Sequence, residues 1–118
     1  MALKGLAGKI LRVDLTSGSI TKELTPDDVF ASYIGARGVG AYLLLKELKA
    51  HTDPLGPDNK LIFLTGPVEG TLAPGANKIT VTFRSPLTGT YSFSLCGGHL
   101  APEVKFAGYD GIIIEGRA

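Results

Sequence analysis

The chain has 118 residues, 44% of them hydrophobic, and 12 Lys and Arg against 11 Asp and Glu give a formal charge of +1. That is one domain or part of one, apolar enough for a core, with too little net charge to recruit nucleic acid or an anionic membrane surface. No apolar run nears the roughly 20 residues that span a bilayer, the first nine residues lack the apolar stretch of a signal peptide, and the single cysteine, Cys96, excludes an internal disulfide or a metal cluster built within one copy, so a reducing cytoplasm is the expected compartment.

Residues 9–15 (KILRVDL) and 19–24 (SITKEL) are β-rich runs separated by Thr16, Ser17 and Gly18, the signature of a hairpin with glycine in its turn. Thr25 as N-cap, Pro26 in the first turn and Asp28 three residues on predict a helix over residues 26–34, with Val29, Phe30, Tyr33 and Ile34 on its apolar face. Gly35 stops that helix. The glycine-rich stretch 35–40 (GARGVG) reads as a connection, and 41–49 (AYLLLKELK) as a second, well-buried helix. Residues 51–59 form a loop dense in proline, aspartate and glycine.

A buried strand is expected over 60–65 (KLIFLT), followed by a long irregular connection from Gly66 to Asn77. In 78–84 (KITVTFR) the alternation places Ile79, Val81 and Phe83 inward and Thr80, Thr82 and Arg84 outward. Ser85 to Gly89 turn the chain into a strand whose Tyr91, Phe93 and Leu95 share one face and whose serines share the other. A helix over about 99–107 and a last buried strand over 111–116 (GIIIEG) complete the order β-β-α-α-β-β-β-α-β. Adjacent hairpins and few βαβ crossovers predict an α+β fold, with a mainly antiparallel or mixed sheet and two to three helices.

The segment richest in chemical meaning is residues 90–108, a strand that breaks at Gly97 and Gly98 and continues as a helix. Two glycines free the backbone for a tight turn and let a ligand approach without a Cβ in the way. With the start of the helix they would make a cradle for an anionic oxygen, above all a phosphate; the competing reading is an ordinary strand-to-helix connection. Arg37 and Lys78 are the best candidate anion contacts. Cys96 and His99 flank the glycines, the first reading as a small buried apolar residue or an activated thiol. His51 reads as a surface histidine. No catalytic set can be assembled from two histidines and one cysteine, and Glu69 has no assignment.

Seven blocks of the sequence together resemble the N-terminal domain of the tungsten-pterin aldehyde ferredoxin oxidoreductases: GKILRVDLTSG (8–18), GARGVGAYLLLKE (35–47), DPLGPDNKL (53–61), TGPVEGT (65–71), SPLTG (85–89), KFAGYDG (105–111) and EGRA (115–118). The resemblance implies that residues 1–118 are the first part of the pterin-base domain of a longer enzyme. That enzyme would oxidise aldehydes to carboxylates at tungsten, or molybdenum, held by two pterins, and pass electrons through a [4Fe-4S] cluster to ferredoxin. It implies cofactor contacts at Gly97 and Gly98. It also implies one at Lys78, where the family has an Arg, and one at Leu95, where the family has an Asn. Charge is kept at Lys78 without the bidentate fork, and the hydrogen bond of the Asn is lost at Leu95. The cluster cysteines and catalytic pocket fall outside this chain, so the chain alone is expected to be inactive. Two other readings are a standalone phosphate- or cofactor-binding module and a non-catalytic assembly subunit. Apolar sheet surface left uncovered predicts self-association as a homodimer.

Overall fold

In a computed structural model, which describes residues 4–118, the elements follow the predicted order. They are β1 (Lys9–Asp14), β2 (Ser19–Leu24), α1 (Asp27–Tyr33), α2 (Ala36–Glu47), β3 (Lys60–Leu64), β4 (Ile79–Arg84), β5 (Tyr91–Cys96), α3 (Leu100–Phe106) and β6 (Gly111–Glu115). All six strands join one sheet in the order β2-β1-β6-β3-β4-β5. Hairpin neighbours pair antiparallel, β6 runs antiparallel to β3, and β1 with β6 is the one parallel pair among the described residues. The mixed sheet of the α+β expectation arises because α3 carries the chain across the sheet and drops β6 between β1 and β3.

Both faces of the central strands are covered. The larger core brings Ile10, Ile62, Leu64 and Ile113 from the sheet against Val29, Phe30, Val39, Leu43 and Leu44 of α1 and α2. On the other face Ile79 packs with Ala101 and Val104 of α3, flanked by Phe63, Tyr109 and Ile112. This double cover corrects the alternation read for β4. Thr80 and Thr82 point not to water but into the α2 interface, where both are fully buried. The Thr82 hydroxyl donates to the Ile62 carbonyl at 3.5 Å, which lets a polar residue sit there without an unmet bond. Gly40 makes the approach possible, because a Cβ there would lie 2.6 Å from Thr82 Oγ1.

The same contact explains why the helix expected at residue 41 begins at Ala36. Glycine lowers helix propensity by about 1 kcal/mol per residue, yet α2 must pass close over β4, and only small residues allow it. Leu45, expected to be buried with its neighbours, is 85% exposed on the far side of α2. At α1 the expected Thr25 cap does not form. Pro26 holds the cap position without a side-chain bond, and the Thr25 hydroxyl donates instead to Asp110 Oδ2 at 2.6 Å. A buried carboxylate needs donors more than a helix end open to water does. Tyr33 and Ile34, assigned to the apolar face, are exposed, Tyr33 leaning on the Tyr42 ring at 5.6 Å between centroids.

Candidate functional site

β4 begins and β5 ends at one rim of the sheet. Ile79 pairs with Cys96, so Lys78, one residue earlier, comes beside Gly97, one residue later. β5 is the last strand of the sheet, and its alternation places Tyr91, Phe93 and Leu95 on the α2 side. Lack of a further strand leaves all three partly open, Leu95 by 54%. Beyond Cys96 the backbone turns at Gly98, whose φ of +92° lies in the region glycine favours. His99 then precedes α3 as its cap residue, without a side-chain cap bond.

The two glycines differ in kind from Gly40. A Cβ built on Gly97 or Gly98 would meet nothing within 4 Å. Gly98 is required by its backbone angle, whereas at Gly97 neither angle nor packing among the described residues demands glycine. Among the described residues no carbonyl or side chain accepts from the amides of Gly97, Gly98 or His99. Lys78 is exposed and makes no ion pair among the described residues. Three amide hydrogens, one ammonium group and the half-exposed Leu95 thus lie along one rim of the sheet, donor types suited to the oxygens of a phosphate.

The other candidates are placed apart from one another. The Arg37 guanidinium lies over the Phe93 ring at 4.6 Å from its centroid, and the Tyr91 hydroxyl donates to the Arg37 carbonyl at 3.2 Å. Burial pushes the Tyr91 phenol above its ordinary range, with the Arg37 charge pulling the other way. Cys96 is exposed rather than buried, its thiol 3.3 Å from the Gly97 carbonyl, because the edge strand has no neighbour to cover it. His99 and His51 are exposed. Among the described residues no three His, Cys, Asp or Glu side chains converge as metal ligands.

Two charged centres were not legible in the sequence. Asp110, fully enclosed, accepts from the amides of Ala7 at 2.7 Å and Gly8 at 2.8 Å, from Thr25 Oγ1, and from Lys105 Nζ at 2.6 Å. Burial alone would raise its pKa, but Lys105, Thr25 and the two amides outweigh it and hold the carboxyl below the usual carboxylate range. At the opposite end of the sheet Arg12 reaches Glu23 at 2.6 Å, Glu47 at 2.9 Å and Glu115 at 3.0 Å, and Lys60 pairs with Glu47 and Glu115. Burial works against the Arg12 charge, yet the bonds to Glu47 and Glu23 prevail and raise its pKa further. Lys105 lies only five residues from Asp110 and Glu23 eleven from Arg12, but Ala7, Gly8 and Thr25 at the first centre and Glu47 and Glu115 at the second are 35 to 103 residues away, so spacing alone could not have revealed the networks. The Asp110 centre is turned wholly inward, whereas Glu47, Lys60 and Glu115 of the Arg12 centre also face a surface concavity.

The family model described as "Aldehyde ferredoxin oxidoreductase, N-terminal domain" matches residues 10–118. The chain belongs to the aldehyde ferredoxin oxidoreductase family, as its N-terminal domain. It is 49% identical over 114 residues to the tungsten-containing aldehyde ferredoxin oxidoreductase of Pyrococcus abyssi, covering 97% of this chain and 19% of that protein. It is 42% identical to the WOR-like subunit of an aliphatic sulfonate oxidoreductase of Pyrococcus furiosus, over 94% of this chain and 18% of the relative. Among solved structures it superposes with a TM-score of 0.95 on the active site complex BamBC of benzoyl coenzyme A reductase in complex with 1,5-dienoyl-CoA, at 40% identity, covering 98% of this chain and 18% of that one. The chain thus spans about a fifth of the length of the curated relatives it matches. No helix among the described residues is long and apolar enough to cross a membrane.

Proposed function

We propose that this chain is the first part of the pterin floor of a tungsten- or molybdenum-dependent oxidoreductase that converts an aldehyde to a carboxylate. Electrons would pass through a [4Fe-4S] cluster to ferredoxin, in the cytoplasm, and both the cluster ligands and the catalytic pocket belong to the remainder of the parent polypeptide. The single observation that carries the reading is the rim at Gly97 and Gly98: among the described residues, a glycine required by neither angle nor packing stands beside amides with no acceptor and an ammonium group with no ion pair.

The bound group would supply the redox chemistry, and the chain its placement. The Gly97, Gly98 and His99 amides would donate to phosphate oxygens, with their direction fixed by the β5-to-α3 turn. Lys78 would add a point charge on one side of the same oxygens, attracting without the two-pronged geometry of an arginine. Leu95 would press on the ring plane and keep water off it. Nothing in this set moves a proton, so the chain by itself should not oxidise aldehydes. Within the isolated chain, Ile20 and Leu24, exposed on the edge strand β2, support the homodimer expected from the sequence, which light scattering checks.

The decisive experiment is pterin content in the parent polypeptide, measured by the fluorescence of oxidised pterin released on denaturation. Gly97→Val should lower retained pterin about tenfold or more, and Lys78→Ala by less, since one screened charge is worth about 1 kcal/mol. Full retention in Gly97→Val would refute the floor.

A further inference from the structure

One concavity lies away from the glycine rim. It is a groove of about 830 Å³ between the end of α2 and the start of β5. Leu45, Leu48 and Tyr91 form its apolar walls, and Lys49, His51 and Arg84 lie along it with no acidic side chain in the lining. In a chain with almost equal numbers of acids and bases, that segregation of charge sets this surface apart. Leu45 stands almost fully in the open, although α2 is otherwise well packed. The Nε of Arg84 is buried with no hydrogen-bond partner among the described residues, and such a group ordinarily finds an acceptor.

Resting on the reading above, we propose that this groove is the seat of an acidic, apolar segment of the same parent polypeptide, with a carboxylate of that segment bonded to Arg84. Four-fifths of the length of the relatives lies outside the matched region, so most of such a polypeptide must pack on this domain or elsewhere. The groove offers what an acidic, apolar segment requires: aliphatic surface for its side chains, a guanidinium fork for a carboxylate, and Lys49 to favour negative over positive charge. A neutral apolar segment would leave the Arg84 charge without a counter-ion, and a basic one would be repelled.

Two measurements test this. On the 118-residue chain the probe is 8-anilinonaphthalene-1-sulfonate, an anion on an apolar body. It should bind saturably, and Leu45→Ser and Arg84→Gln should each weaken it about tenfold with the cooperative thermal transition kept. Because Leu45 is exposed, its variant separates loss of binding from loss of fold, and probe binding indifferent to both changes would overturn the groove's chemistry. In the parent polypeptide, Leu45→Cys in a Cys96→Ser background should react with N-ethylmaleimide about tenfold more slowly than in the 118-residue chain. Equal rates would overturn the occupant, as would protection in the short chain that grows with its concentration, which would assign the groove to a second copy. A native gene product that ends at Ala118 would overturn the parent-polypeptide reading instead, and with it the occupant, while the probe result on the groove would stand.

Discussion

Replacing Asp110 by Asn tests how the fold is tied together. The carboxylate is fully enclosed and meets four donors, two at each oxygen: Ala7 N and Lys105 Nζ at Oδ1, Gly8 N and Thr25 Oγ1 at Oδ2. An amide of the same shape keeps one oxygen and turns an NH2 toward the other two donors; with the NH2 on the Oδ2 side the Thr25 hydroxyl can turn and accept from it, the Gly8 amide is left in a donor-donor contact, and Lys105 loses its counter-charge. Unmet buried donors cost about 1–3 kcal/mol each and breaking a buried ion pair about 3–5 kcal/mol. These costs overlap, so about 3–5 kcal/mol is expected. The pH dependence has a definite sign. The folded carboxyl titrates below its unfolded value, so its stabilisation is fully present above the unfolded pKa of about 3.9 and fades as pH falls through the folded value. Urea unfolding of both chains at pH 7 and at successively lower pH measures this. A difference below about 1 kcal/mol at pH 7, or one that does not narrow in acid, would refute the reasoning.

Three further outcomes follow from the same geometry. Gly97→Ala should leave stability within about 0.5 kcal/mol, since its Cβ meets nothing and its φ is not left-handed, whereas Gly98→Ala should cost about 1–3 kcal/mol through its φ of +92°; equal thermal midpoints for the two variants would contradict this. Gly40→Ala should lower the thermal midpoint despite the better helix propensity of alanine, because the added methyl collides with Thr82 and overpacking costs about 1–3 kcal/mol; a raised midpoint would show that α2 can lift away without loss. Arg12→Gln should destabilise by about 2 kcal/mol, between the values of exposed and buried pairs, and by much less in a Glu47→Gln background, since the two changes break one network; strict additivity in a denaturation cycle would count against that network.

How much of this was legible in the sequence depended on the range of the interaction responsible. The β1–β2 hairpin, the alternation of β5 and the break at Gly97 and Gly98 are decided within a few residues, where turn chemistry and periodicity act directly. Thr80 and Thr82 read as outward for the same local reason, and that reading failed because a helix from earlier in the chain covers their face. Thr25 looked like a cap until Asp110, 85 residues away, claimed its hydroxyl.

By itself the sequence determined the order of elements, the α+β class, the family and the glycine rim, because each is written in neighbouring residues or in blocks that keep their order. Only the tertiary structure decided which faces are dry, which glycine is bound by its angle and which is free of any demand, and where Asp110 and Arg12 find their partners. Burial and bonding are properties of residues brought together from distant parts of the chain, and it is the insertion of β6 between β1 and β3 that brings them together.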